Sequence, residues 1–125
     1  MPYETNIEVF PDHVRTDVTG VRITGEVVSN SDLLGQEMVR ACSENSIHRI
    51  LLVLHLTGRL SSIDAYEMVL NSEQYGWSRD MKMAIVDMNE ESLQDSEFVE
   101  TVAVTRAYPV SVFDNEEEAR DWLLG

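Results

Sequence analysis

One stretch decides the fold of this chain, Arg49-Ile-Leu-Leu-Val-Leu-His-Leu-Thr-Gly-Arg-Leu-Ser-Ser62. Its first part, Ile50–Leu54, is an unbroken apolar run that is too short for a helix and is bounded by turn residues. Such a run is typical of a central strand that is buried on both faces of a parallel sheet. The rest is a loop whose two serines can begin the next helix. We therefore expect an α/β fold, in which ligands and regulatory chemistry gather at such strand-to-helix edges.

The segments before this strand alternate apolar and polar residues, as antiparallel strands do. We predict strands over Asn6–Phe10 and His13–Val18, and a third strand over Val21–Val28 in which Gly25 marks a bulge. Further along, strands alternate with helices. Short connections between them imply right-handed crossovers and a mixed, mostly parallel sheet with about four helices packed on it.

The alternating part of the chain is predicted to begin with helices over Asp32–Asn45 and Ser62–Tyr75, the second of which Gly76 closes. After these come a predicted strand over Lys82–Met88, a third helix containing Phe98, Val102 and Thr105, and a strand over Tyr108–Phe113. The last predicted element is a terminal helix. Asp114 caps it, with Glu117 three residues further on, and it packs through Ala119, Trp122 and Leu123.

Composition limits the classes of function. The 125 residues are predicted to form one domain (1–125), and a 43% hydrophobic content argues against disorder. Twenty-three acidic residues against nine lysines and arginines give a net charge of −14. Such a chain is unsuited to binding nucleic acid or anionic membranes, and it has no apolar stretch long enough to span a bilayer. The acidic surface suits either simple solubility or docking of a basic partner. The lone Cys42 predicts a reducing, cytoplasmic environment.

Three segments together resemble the SpoIIAA-like family, which is related to the STAS domain of sulfate transporters and anti-sigma-factor antagonists. They are Val21–Glu26 with the capped helix after it, the Arg49–Ser62 strand and loop, and the ending Val112-Phe-Asp-Asn-Glu-Glu-Glu-Ala-Arg-Asp-Trp-Leu123. The resemblance spans nearly the whole chain in order, and its last segment is the most specific. It implies a STAS-like fold with no catalytic activity, and a protein partner such as a regulatory kinase or an anti-sigma-like protein.

The resemblance also implies a regulatory serine at the start of a helix, which a partner kinase phosphorylates in true antagonists. That serine lies in a sequence similar to Asp-Ser-Ser-Gly-Leu, and here the corresponding stretch is Leu60-Ser-Ser-Ile-Asp64, with Ser62 in the place of the serine. The glycine and leucine that follow the serines in the family are absent. More distant members of the same fold group resemble lipid-carrying domains. For this chain, they imply an apolar ligand as the alternative to a protein partner.

Ser61 and Ser62 have two interpretations from chemistry alone. Either serine suits an N-cap, because a hydroxyl satisfies the free amides of the first helical turn. An exposed hydroxyl there, with the helix dipole and Arg59 beside it, also suits a phosphoacceptor or an anion site. We therefore predict that residues Thr57, Gly58, Arg59, Ser61, Ser62 and Asp64 form the contact surface for a partner.

His55 and Asp87 are weaker candidates. Both lie near the carboxyl ends of predicted parallel strands, where they could meet and act as a general acid–base pair, with Ser61 or Thr57 as nucleophile. No hydrolase turn or oxyanion loop accompanies them, and a His55 that is simply hydrogen-bonded at the sheet edge is the alternative. We predict no cofactor and no metal site, because His13, His48 and His55 lack paired spacing.

An apolar pocket between the helices and the sheet is the last candidate. Its predicted lining is Met38, Met68, Met83, Met88, Tyr66, Phe98, Tyr108 and Trp122, all residues that also suit an ordinary core. The sequence therefore predicts a non-enzymatic regulatory module that binds a protein partner. The alternative is a carrier of a small apolar or lipid-like molecule. A homodimer is compatible with both.

Overall fold

The computed structural model describes residues 3–125 of the chain. The elements in these residues are β1 (Glu4–Val9), β2 (Val14–Val21), α1 (Val27–Asn45), β3 (Arg49–Thr57), α2 (Ser62–Ser72), β4 (Lys82–Asp87), α3 (Leu93–Thr105), β5 (Val110–Phe113) and α4 (Glu116–Leu124). The strands form one sheet in the order β1-β2-β3-β4-β5. β1 is antiparallel to β2, and the other neighbouring pairs are parallel. The predicted α/β class and mixed sheet are confirmed.

β3 is the central strand and is buried on both faces, as its apolar run predicts. Ile50, Leu52 and Leu54 pack into a core that they share with α1, α2 and α3. The alternate residues Leu51 and Val53 pack on the opposite face, against α4. The protein therefore has three layers, with three helices on one face of the sheet and one helix on the other.

The connections place the predicted site at one edge of the sheet. α1, α2 and α3 each join two adjacent parallel strands, so the carboxyl ends of β2, β3 and β4 lie at the same edge. We call this the carboxyl edge. The loop that follows β3, residues 58–61, begins there. Within residues 3–125, no helix is both long and apolar enough to cross a bilayer.

The predicted third N-terminal strand, Val21–Val28, is wrong. β2 runs on through Val21, and the following residues form a turn in which Gly25 has a φ of +89°. Helix α1 then begins at Val27, five residues before the predicted start at Asp32. Its buried positions Val27, Asn30, Leu34 and Met38 repeat every three or four residues, so the helical pattern starts earlier than the cluster of cap residues suggests.

Smaller corrections concern the ends of elements. α2 ends at Ser72 rather than Tyr75, β4 ends at Asp87 rather than Met88, and β5 begins at Val110 rather than Tyr108. The cap of α4 is Asn115, whose side chain accepts a hydrogen bond from the Glu118 amide at 2.9 Å, and not Asp114. Asn115 has the extended backbone that an N-cap requires, and its side-chain oxygen reaches the third residue of the helix.

Candidate functional site

The loop after β3 is fixed to the turn before α1 by Arg22. The Arg22 amide donates to the Thr57 carbonyl at 2.9 Å, and its Nη1 atom donates to the Gly58 carbonyl at 2.9 Å. Gly58 has a φ of +90°, and a Cβ atom at this position would lie 3.0 Å from the Arg22 carbonyl oxygen. Glycine is therefore required here by both the backbone conformation and the close approach of Arg22.

A second residue, Asp95 at the start of α3, fixes the same loop from the other side. Its carboxylate binds Arg59 through two hydrogen bonds of 2.7 and 3.0 Å and also accepts from the Leu60 amide at 3.0 Å. The Arg59 guanidinium holds the pKa of Asp95 below its usual range. In the anion-site interpretation of the serines, Arg59 would stand beside the bound anion. Instead, its planar group is engaged by a carboxylate of this same chain.

Ser61 is the N-cap of α2. Its Oγ atom accepts a hydrogen bond from the Asp64 amide at 3.1 Å, so the capping interpretation is confirmed for this serine. Ser62 is the first residue of the helix, and its side chain is exposed. The first turn of α2 also contains Asp64, whose charge suits the positive end of the helix dipole.

The exposed surface next to Ser62 is apolar. Ile63 is 71% exposed and Tyr66 is 48% exposed, although both are large hydrophobic residues. Ser62 and Tyr66 are one helical turn apart, and Ile63 and Tyr66 are three residues apart, so the three side chains share one side of α2. We call Thr57–Asp64, together with the outward side chain of Tyr66, the docking face.

Asp87 is buried at the end of β4 and organises the loop that leads to α3. It accepts hydrogen bonds from the Ser92 hydroxyl at 2.9 Å, the Ser96 hydroxyl at 2.6 Å and the Asn89 amide at 3.0 Å. Arg22 Nη2 lies 3.9 Å away. Asp87 is only 2% exposed, and these donors satisfy the hydrogen-bonding capacity of its buried carboxylate oxygens. These contacts make Asp87 a structural residue of the loop between β4 and α3.

The predicted His55–Asp87 pair does not form. Asp87 pairs in register with Leu54, so it shares the α3 face of the sheet, whereas the next residue of β3, His55, projects from the other face. His55 Nε2 lies 3.7 Å from Asp17 Oδ1 on β2. Two adjacent positions along a strand cannot place their side chains on the same face, so this pair was excluded by the strand register.

Sequence reasoning missed Arg22, Asp95 and Ser96 as residues of this edge, and it missed the contact that Asn89 makes with β3. Asn89 Nδ2 donates to the Leu56 carbonyl at 3.2 Å and so links the end of β3 to the loop after β4. The run of capping residue types after β4 was a usable signal for Asn89. The sequence contains no such signal for Arg22, because the alternating pattern of Val21–Val28 predicts a strand where the structure has a turn and the start of α1.

A cavity of about 120 Å³ lies between the sheet and the helices α1, α2 and α3. Four of its predicted lining residues line it, namely Met38, Met68, Met83 and Tyr108. The other four do not. Met88, Tyr66 and Phe98 are exposed, and Trp122 packs with the α4 cluster on the opposite face of the sheet. Most of the lining is aliphatic or aromatic, and the lining residues that carry polar groups include Arg22, Asp32 and the aromatic residues Tyr3 and Tyr75.

No protein-family model matches the chain, and no curated protein sequence matches it either. Among residues 3–125, no three His, Cys, Asp or Glu side chains come together in a way that could hold a metal ion. Cys42 is buried on α1 within the core, and burial raises the pKa of its thiol to about 11. A thiol with a raised pKa is a poor nucleophile, so Cys42 acts as a small core residue.

Proposed function

We propose that this protein is a non-enzymatic regulatory module of the SpoIIAA-like type that binds a protein partner through the docking face. The observation that carries the proposal is the pair of exposed apolar side chains, Ile63 and Tyr66, beside the exposed hydroxyl of Ser62. Exposed large hydrophobic residues grouped on one helix side are a common mark of protein contact sites. The mixed, mostly parallel sheet with four helices is compatible with this proposal.

The contacts behind the docking face support this role. Arg22 and Asp95 hold the loop from two sides, so its shape is set before any partner arrives. A preformed loop loses less conformational entropy on binding than a mobile one. A partner with an apolar contact and a basic surround is complementary to this face, because the chain carries a net charge of −14.

Ser62 is the position at which this contact is switched. Phosphorylation would add about two negative charges beside Ile63 and Asp64, where a partner has to exclude water. The site lacks a free arginine to hold the phosphate, because Arg59 is paired with Asp95. The modified serine would therefore weaken docking through charge repulsion and desolvation.

Substitutions of Ser62 test the switch. The immobilised wild-type domain would be used to capture partners from its native cells, and the captured proteins would be compared quantitatively with those of Ser62→Asp and Ser62→Ala. We expect Ser62→Asp to lose the partner and Ser62→Ala to keep it. Ser43→Asp is the matched control, because it adds the same charge to an exposed serine on α1. Equal capture by Ser62→Asp and Ser43→Asp would reject the switch.

A second candidate function is supported by the cavity, which would bind a small molecule with an apolar body. An engineered protein cavity of about 150 Å³ is known to bind benzene. The cavity here, at about 120 Å³, therefore suits a ligand of about five or six non-hydrogen atoms. A complete lipid chain is much larger than this. The cavity volume thus favours a small apolar ligand over a lipid-like one.

A further inference from the structure

One carboxylate oxygen at the wall of the cavity has no partner. Asp32, on α1, lines the cavity, and its Oδ2 atom accepts a hydrogen bond from Asn71 Nδ2 at 3.0 Å. Its Oδ1 atom is buried and makes no hydrogen bond within residues 3–125. No lysine, arginine or histidine of the described chain forms an ion pair with Asp32 either. A buried oxygen of this kind costs free energy unless a donor reaches it.

The surroundings of Asp32 point to a missing cation. Burial raises the pKa of Asp32, with the Asn71 hydrogen bond acting in the opposite direction. Burial, together with the negative charge of Asp32, also raises the pKa of Tyr75, which lines the same cavity. Both shifts have the sign expected where a negative charge sits in an apolar site without a positive partner.

Other groups of the cavity can accept from, or stabilise, an ammonium ion. The Tyr3 hydroxyl lines the cavity beside the Ser31 hydroxyl, and each of these oxygens has lone pairs to offer. An ammonium group carries three donors and no acceptor, and aromatic rings such as those of Tyr3 and Tyr75 attract cations. Most of the remaining wall is apolar and suits a hydrocarbon body.

We propose that the cavity binds a small aliphatic primary amine whose ammonium group pairs with Asp32 Oδ1. The inference rests on the second candidate function, because it requires the cavity to be a binding site. The volume of about 120 Å³ limits the amine to a branched chain of about four carbons. The net charge of −14 favours approach of a cation over that of an anion.

Three probes that share a four-carbon branched skeleton and differ in charge test this inference. Isobutylamine, isobutanol and isobutyrate would each be titrated into the full chain at neutral pH, and binding would be followed through backbone amide NMR shifts. We expect isobutylamine to bind roughly tenfold or more tightly than isobutanol, with shifts centred on Asp32, Asn71 and Tyr75. Isobutyrate should bind most weakly, because its carboxylate faces that of Asp32 and the guanidinium of Arg22, which also lines the cavity, is already engaged by the Gly58 carbonyl and lies near Asp87.

Two variants test whether the negative charge of Asp32, rather than the shape of the cavity, causes the preference for the amine. Asp32→Asn keeps the size of the side chain, and we expect it to remove the preference for the amine. Glu44→Gln, which removes one charge from an exposed position on the same helix, should leave that preference unchanged. If the Asp32 variant does not fold, the order of the three probes on the wild-type chain decides alone.

The outcomes are distinct. Equal binding of the three probes would overturn the amine inference while leaving the cavity as a ligand site. Absence of binding by any probe at millimolar concentration would overturn both the inference and the second candidate function, and would mean that ordered water alone serves Asp32.

Discussion

Asp95 binds Arg59 in a two-point ion pair, with Oδ2 2.7 Å from Nε and Oδ1 3.0 Å from Nη2. The same carboxylate accepts from the Leu60 amide. The loop after β3 is therefore attached to the first turn of α3 just before the serines begin α2. A second ion pair, between Glu73 and Arg106, joins the far ends of the same two helices.

Removal of Asp95 should loosen the docking face without unfolding the domain. Asp95→Ala takes away one ion pair and leaves the partly buried Leu60 amide without its acceptor. We expect several-fold faster hydrogen exchange at the amides of residues 58–62 and little change in the strands. Mass-spectrometric hydrogen exchange measures this. Asp121→Ala on α4 is the control, and equal exchange in both variants would contradict the proposed role of Asp95.

Gly58 and Gly25 form a matched pair for a test of the loop conformation. Their φ values are +90° and +89°, but a Cβ atom meets Arg22 only at Gly58, and open space at Gly25. Substitution by alanine should cost each about 1 kcal/mol for the left-handed backbone. Gly58→Ala should cost about 1 kcal/mol more, because Arg22 must move. Urea unfolding compares the two, and equal losses would contradict the close contact.

Asp87 is predicted to be a stability residue. In Asp87→Ala, the Ser92 and Ser96 hydroxyls lose their buried acceptor and Arg22 loses a nearby charge. We expect the free energy of unfolding to fall by about 3 kcal/mol. The exposed control Asp121→Ala should change it by about 0.5 kcal/mol or less. A loss of that smaller size in Asp87→Ala would show that the buried network contributes little.

The raised pKa of Asp32 gives a pH dependence of stability with a defined sign. Between the ordinary pKa of 3.8 and the raised value in the folded state, the folded chain binds more protons than the unfolded chain. The free energy of unfolding contributed by this group therefore falls as pH rises through that window. Asp32→Asn, which cannot ionise, should be more stable than wild type at about pH 7, and this advantage should shrink at about pH 3.

Thermal unfolding of the two proteins at both pH values measures the difference. Asp121→Asn serves as the control, because its side chain lies on the exposed surface of α4. If Asp32→Asn is less stable than wild type near neutral pH, the burial of an unpaired charge at Asp32 is refuted.

The elements that could be predicted from the sequence are those whose pattern of apolar and polar residues fits only one type of secondary structure. The apolar run Ile50–Leu54 has no polar face, so it had to be a strand covered on both sides. The terminal helix was also predictable, since its acidic first turn agrees with the helix dipole. The start of α1 was not, because Val21–Val28 fits an alternating strand while Val27, Asn30 and Leu34 also fit a helix.

For the candidate residues after β3, the sequence indicated their place in the fold but not the residues that they contact. Ser61 caps α2, and residues Thr57–Asp64 lie together at the carboxyl edge. The ion pair between Arg59 and Asp95 joins residues that are 36 positions apart in the chain. A local sequence pattern cannot predict a contact between residues so far apart. The His55–Asp87 hypothesis failed because it considered which strand ends meet and ignored which face each side chain occupies.

The docking face is tested most directly by a charge placed at its centre. Ile63→Glu and Val9→Glu introduce the same side chain at exposed apolar positions, Val9 being 48% exposed on β1, away from the carboxyl edge. Affinities of both variants for a partner captured by the wild-type domain would be measured by isothermal titration calorimetry. We predict that Ile63→Glu weakens binding at least about tenfold, as expected for a buried contact, and that Val9→Glu leaves it unchanged. Wild-type affinity in Ile63→Glu would contradict the proposed function.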